Sequence, residues 1–144
     1  MILTTYFVWN TAMVAVAAYA LWRGSRVEAF VGLVSVAAAL LSAVIHHGAT
    51  GHQTRWDVLA VDVGFFLILL VLVLKSDRIW LLFAAAFQLL QIVIHLAIMA
   101  DGGVRSLAYV NGLGVFSYGV LLSITVGTWL NHREKRFREP PGRS

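Results

Sequence analysis

Five polar residues could do chemistry inside an otherwise apolar chain: Asn10, His46, Asp62, His95 and Asn111. One falls in each of five hydrophobic stretches, a turn or two inside the same face of the implied membrane. An amide, imidazole or carboxyl within a bilayer is costly unless a partner satisfies it. Five of them at one depth are expected to meet. Asp62 and His95 carry the strongest chemistry of the set. An Asp near a bilayer centre costs about 2.5–3.5 kcal/mol on insertion scales, and less toward an interface. A contact between Asp62 and His95 would relieve that cost, the carboxylate orienting the imidazole.

The histidines gather toward one side. His46, His47, His52 and His95 lie at or near it, with Asp57, Asp62 and Asp101. Imidazole with carboxylate suits zinc, copper, nickel or iron, so His46, His47, His52, Asp62 and His95 form a candidate metal set. Their spacing matches no named zinc motif. Haem b is the other cofactor option, with His46 or His47 and His95 as axial ligands and Ala43, Gly48 and Ala97 leaving room for the macrocycle. The competing structural reading is a loop cluster of histidines that binds nothing.

Helical spacing sorts the remaining polar residues into stripes. Gln88, Gln91 and His95 stand at i, i+3 and i+7, within one narrow arc that Ala84 and Met99 extend. Ser35, Ala38, Ala39, Ser42 and His46 make a second stripe, and Asn111, Tyr118 and Thr125 a third. Buried Ser, Asn, Gln and His hydrogen-bond across membrane helices for about 0.6–2 kcal/mol each, so a structural role is the simplest account of the stripes. Gly119, Ser123 and Gly127 form a small-xxx-small ridge for close helix contact, within the chain or to a partner. The opposite half of the bundle offers only Ser35, Tyr118, Ser123 and Thr125, which argues against a continuous proton or ion path.

The elements that must position these residues are membrane spans. Of 144 residues 60% are hydrophobic and 12% charged, about half the charged share of a soluble domain. The expected fold is all-α, an integral membrane bundle of five helices at Thr4–Trp22, Val27–His46, Trp56–Leu74, Ile79–Ala100 and Leu107–Leu130. Each is near the roughly 20 residues that cross a ~30 Å hydrocarbon core. The third is the shortest and carries Asp62, so four spans with an interfacial third segment is the alternative. A basic tail, residues 132–144, follows, read as a topology anchor with a disordered end or as a dock for anionic lipid or an acidic partner. With the N-terminus outside, nine Lys and Arg residues fall inside against Arg55 and Arg105 outside. Trp9 and Trp56 then mark outer ends, and Trp22, Trp80 and Trp129 inner ends, as an aromatic belt requires.

The absence of cysteine excludes disulfides, thiolate metal sites and cysteine catalysis. No HExxH, GxSxG or phosphate loop is present, which leans away from an enzyme. The high pI follows from topology and not from nucleic-acid binding. The run Lys75-Ser-Asp-Arg-Ile-Trp-Leu-Leu-Phe-Ala-Ala-Ala-Phe-Gln-Leu-Leu, then His95-Leu-Ala and Gly127-Thr-Trp129, resembles a group of short multipass proteins of sphingomonad-type Alphaproteobacteria. The resemblance covers about the last two-thirds of the chain. It implies a bacterial inner-membrane location and no mechanism. The expected function is an accessory or scaffolding subunit of a larger membrane complex, or a homo-oligomer. A metal or haem protein, or a small transporter or proton conductor, are the alternatives.

Overall fold

The computed structural model describes residues 2–48, 53–100 and 106–138, and side chains over 8–45, 56–100 and 114–137. Those residues form five helices: α1 (Ile2–Arg23), α2 (Arg26–Gly48), α3 (Gln53–Lys75), α4 (Ile79–Ala100) and α5 (Ser106–Arg138). No strand occurs among them. Each helix packs on its neighbour in sequence, and α1 returns to α5, closing a ring that α2 also joins by touching α5. Among the described residues α1 meets neither α3 nor α4.

Three of the helices, over Arg26–Ile45, Trp56–Lys75 and Ile79–Ala100, are long and apolar enough to cross a membrane. The segment carrying Asp62 is the most apolar of the three, so the short-span argument against it loses its basis. The bundle also turns large apolar side chains outward. Leu40, Val44, Leu67, Leu74, Phe83 and Val93 are all exposed. In water such a surface would be an association hazard; against lipid it is the expected solvent face.

Helix α4 is the most deeply packed, burying Trp80, Leu81, Ala84, Gln88, Ile92 and His95 along one side. It reaches α5 through glycine. A Cβ at Gly119 would stand 2.6 Å from the Phe87 ring, and one at Gly127 2.5 Å from the Trp80 ring. The small-residue ridge therefore packs inside the chain, with Ser123 satisfied by the Gly119 carbonyl at 2.8 Å. Leu69, Leu81, Val31 and Ile124 fill the core beside it.

Helix α5 differs from expectation at its end. It continues eight residues past Leu130, so the start of the basic tail is ordered helix. Residues 131–138 contain neither Gly nor Pro, Glu134 and Arg138 stand at the favourable i, i+4 spacing, and Pro140 supplies the stop. The expected disordered end falls on residues 139–144, outside the described residues. At the Ser76-Asp77-Arg78 turn, Leu81 N–H closes the first turn of α4 on the Arg78 carbonyl at 3.1 Å.

Candidate functional site

The α3–α4 connection is so short that its register can be derived. Two antiparallel helices joined at Ser76–Arg78 place residue 62 level with about residue 92, because each rises ~1.5 Å per residue away from the turn. Gln88 lies about one turn below that level and His95 about one turn above. All three side chains can then converge, and they do. His95 Nε2 is 3.0 Å from Asp62 Oδ2, with side-chain exposures of 8% and 20%. Gln88, 2% exposed, donates through Nε2 to Asp62 Oδ1 at 3.1 Å. One carboxylate thus receives a donor on each oxygen, from two successive reaches of α4.

The next member of the stripe faces the other neighbour. Gln91 donates to the Ser117 hydroxyl on α5. The stripe at 88, 91 and 95 therefore ties α4 to α3 on one side and to α5 on the other. All three residues are buried. Chemically the arrangement is a polar clasp: an acid and a base in direct contact, with the amide of Gln88 completing the acid's coordination. Buried polar groups without partners carry a penalty of about 1–3 kcal/mol each, and here Asp62, Gln88, Gln91 and His95 escape it.

Asn10 stands on a different helix. It is exposed and lines a shallow groove on α1 with Thr11, Val14 and Ala18. Because α1 touches only α2 and α5 among the described residues, a residue on it stays apart from the α3–α4 contact. Of the expected five-residue layer, the described side chains bring Asp62 and His95 together, with Gln88 beside them. His46, His47, His52 and Asn111 have side chains outside the described residues, so of the candidate metal set the described side chains are Asp62 and His95. Among the described residues no three His, Asp or Glu side chains gather as a metal site would require. Coordination of a metal or haem iron through His95 Nε2 would first require Asp62 to let go. A larger groove, about 500 Å³, opens between α1 and α5 and is lined by apolar groups including Val16, Val115 and Leu122. Its lining does not include Asp62 or His95.

A second polar cluster occupies the opposite end of the bundle, where little was expected. Glu28, fully buried, receives Arg78 from the start of α4. The same carboxylate accepts from the Ser25 amide at 2.7 Å and from its hydroxyl. Ser25-Arg-Val-Glu28 is a capping box at the start of α2, and that spacing is readable in the sequence. What the sequence does not indicate is that Arg78, read as a topology marker, crosses from another turn to neutralise it. Nearby, Arg23 donates to His132 Nε2 at 3.0 Å and lies over the Trp22 ring at 4.3 Å. Desolvation, then the charges of Arg23, Arg136 and Lys135, holds His132 below its usual 6.5. The two layers are not symmetric in chemistry: one pairs Asp with His, the other Glu with Arg.

No protein-family model, curated protein or solved structure matches this chain.

Proposed function

We propose that this chain is a small polytopic membrane protein of five spans that acts as an accessory or scaffolding subunit, or as a homo-oligomer. The observation that carries the reading is the closed bonding of the polar cluster. Asp62 takes His95 and Gln88, Gln91 takes Ser117, and none of these groups lines the apolar groove between α1 and α5. Polar side chains spent on neighbouring helices hold a bundle together, whereas a catalytic or transport site keeps some of them open to substrate. The charge distribution supports a periplasmic N-terminus and a cytoplasmic C-terminus, in a bacterial inner membrane, with the Asp62–His95 layer on the periplasmic side.

The test is the mass of the particle extracted gently from its own membrane into nanodiscs. A defined oligomer or a stoichiometric partner is the expected result. A homogeneous single chain would count against the scaffold.

A second reading has one observation in its favour. Two of the five candidate ligands, Asp62 and His95, already lie in contact. If His46 and His47, in the last turn of α2, and His52 beyond it come onto that pair, the protein binds a metal ion, or haem b between His46 and His95. A Soret band, or stoichiometric zinc, copper or iron in the purified protein, would establish it. A colourless, metal-free protein would remove it.

A further inference from the structure

Arg23, the last residue of α1, donates from Nη1 to His132 Nε2 on the extension of α5 at 3.0 Å. A guanidinium carries donors only, so Nε2 must offer a lone pair and the imidazole must be neutral. The contact therefore exists in one protonation state of His132 and is lost in the other. Both partners are partly buried, and the guanidinium is also held over the Trp22 ring at 4.3 Å. Beyond His132 the helix stands clear of the bundle. Residues 133–137 are exposed, and Arg133 stacks on Trp129 of its own helix at 4.8 Å. Among the described residues, the Arg23 contact is the hydrogen bond that joins this stretch to another helix.

The groups around His132 oppose a proton on it. On its own helix Lys135 and Arg136 follow at i+3 and i+4, on the same face, whereas Glu134 stands about 200° around the axis. At this end α1 contributes Arg23 and, one turn earlier, Tyr19; α2 contributes Arg26 and Glu28; the start of α4 contributes Arg78. Glu28 is fully buried and already taken by Arg78 and Ser25. Desolvation first, then Arg23, Arg136 and Lys135, hold His132 below its usual 6.5. Protonation thus removes the acceptor for Arg23 and adds a cation to three others with no open carboxylate beside them.

We propose that Arg23 and His132 form a pH-sensitive latch: with His132 neutral the extension of α5 is held against the end of α1, and with His132 charged it is released. The latch rests on the Arg23 contact and is independent of the Asp62–His95 clasp and of the scaffold reading. That it reads the pH of the cytoplasm rests on the orientation proposed above.

The chain has no cysteine, so a pair of introduced cysteines carries spin labels without interference. Leu74→Cys at the end of α3 and Phe137→Cys on the extension replace side chains 78% and 81% exposed, outside the latch. Pulsed paramagnetic resonance on the full chain in nanodiscs, diluted with unlabelled chain, reads the distance between them. One narrow distance is expected at about pH 8, and a second, broader population should grow toward about pH 5. The ratio of released to held chains should change by at most about tenfold per pH unit, with the midpoint given by the His132 imidazole resonance. His132→Gln keeps an acceptor that does not titrate and should stay held at every pH. His132→Lys has a permanent cation there and should be released at every pH. A control pair, Val14→Cys with Leu74→Cys, reports the body of the bundle and should not change. A wild-type distance that ignores pH would overturn the latch, as would an equal change in His132→Gln or in the control pair. A chain that does not enter nanodiscs would refute the membrane reading, and the same label pairs in detergent would still test the latch.

Discussion

His95 and Asp62 face one another across the α3–α4 contact with Nε2 and Oδ2 3.0 Å apart, and Gln88 completes the carboxylate from one level lower. Residues 62, 88 and 95 belong to a hairpin whose short turn fixes the register. The same geometry that pairs the acid with the base also keeps both away from lipid. In hydrocarbon the alternative to this contact would be an unpaired carboxylate, which accounts for an Asp directly before the apolar run Val63–Leu74.

Gln88 is the most easily tested member of the clasp. Gln88→Leu preserves most of the volume but leaves Asp62 Oδ1 without its donor, and is expected to lower stability by about 1–2 kcal/mol. Gln88→Glu should be worse at neutral pH, because two carboxyl groups would share one site, and should recover as pH falls. Thermal unfolding in detergent across pH measures both. Equal stability of wild type and Gln88→Glu at neutral pH would contradict the contact.

Glycine at the α4–α5 contact is required by space. Gly127→Ala would drive a methyl into the Trp80 ring and should cost about 1–3 kcal/mol, the usual penalty of overpacking. At Gly64, on α3, a methyl would meet nothing within 4 Å among the described residues, so Gly64→Ala should be neutral or gain about 0.5–1 kcal/mol from helix propensity. The ordering of the two variants by unfolding temperature is the check.

Glu28 and Arg78 should behave as a buried pair. Arg78→Met alone leaves Glu28 uncompensated and is expected to cost about 3–5 kcal/mol. Glu28→Gln with Arg78→Met should restore a large part of that loss, since replacing both charges removes the uncompensated one. Refolding or unfolding yields for the wild type and the two variants give the comparison. A double variant no better than Arg78→Met would argue against direct pairing.

The parts of the site that were legible are those fixed by periodicity and a short turn. Gln88, Gln91 and His95 announce one face by spacing, and Ser76–Arg78 is too brief to allow α3 and α4 any other register. Asn10 was less legible, because depth along a helix does not say which helix lies beside it, and α1 neighbours α2 and α5. Glu28 passed unremarked for the opposite reason. It stands beside a charged turn, where an acid looks like surface, and only the fold reveals that Arg78 from a distant turn closes over it. The helical continuation through Arg138 was hidden by the density of charge, although the absence of Gly and Pro before Pro140 pointed to it.

His132 offers a pH readout outside the membrane-spanning segments. Its folded value lies below 6.5, so the protonated form is disfavoured in the native state. Stability from this group is therefore full above the unfolded value and is lost as pH falls through the folded one. Nuclear magnetic resonance of the imidazole should give a midpoint below 6.5. Arg23→Gln should raise it part of the way, because desolvation remains. A midpoint at or above the ordinary value would contradict the Arg23 contact.

The most direct test of the clasp is a double-mutant cycle on Asp62 and His95, using Asp62→Leu, His95→Leu and the pair, with unfolding free energies measured in one detergent. Each single variant strands a buried partner, so the account predicts that the double variant is more stable than the sum of the two losses. The expected coupling is about 0.6–1.7 kcal/mol, the range for polar contacts between membrane helices. Strict additivity would mean that the two side chains do not hold one another, and would contradict the clasp.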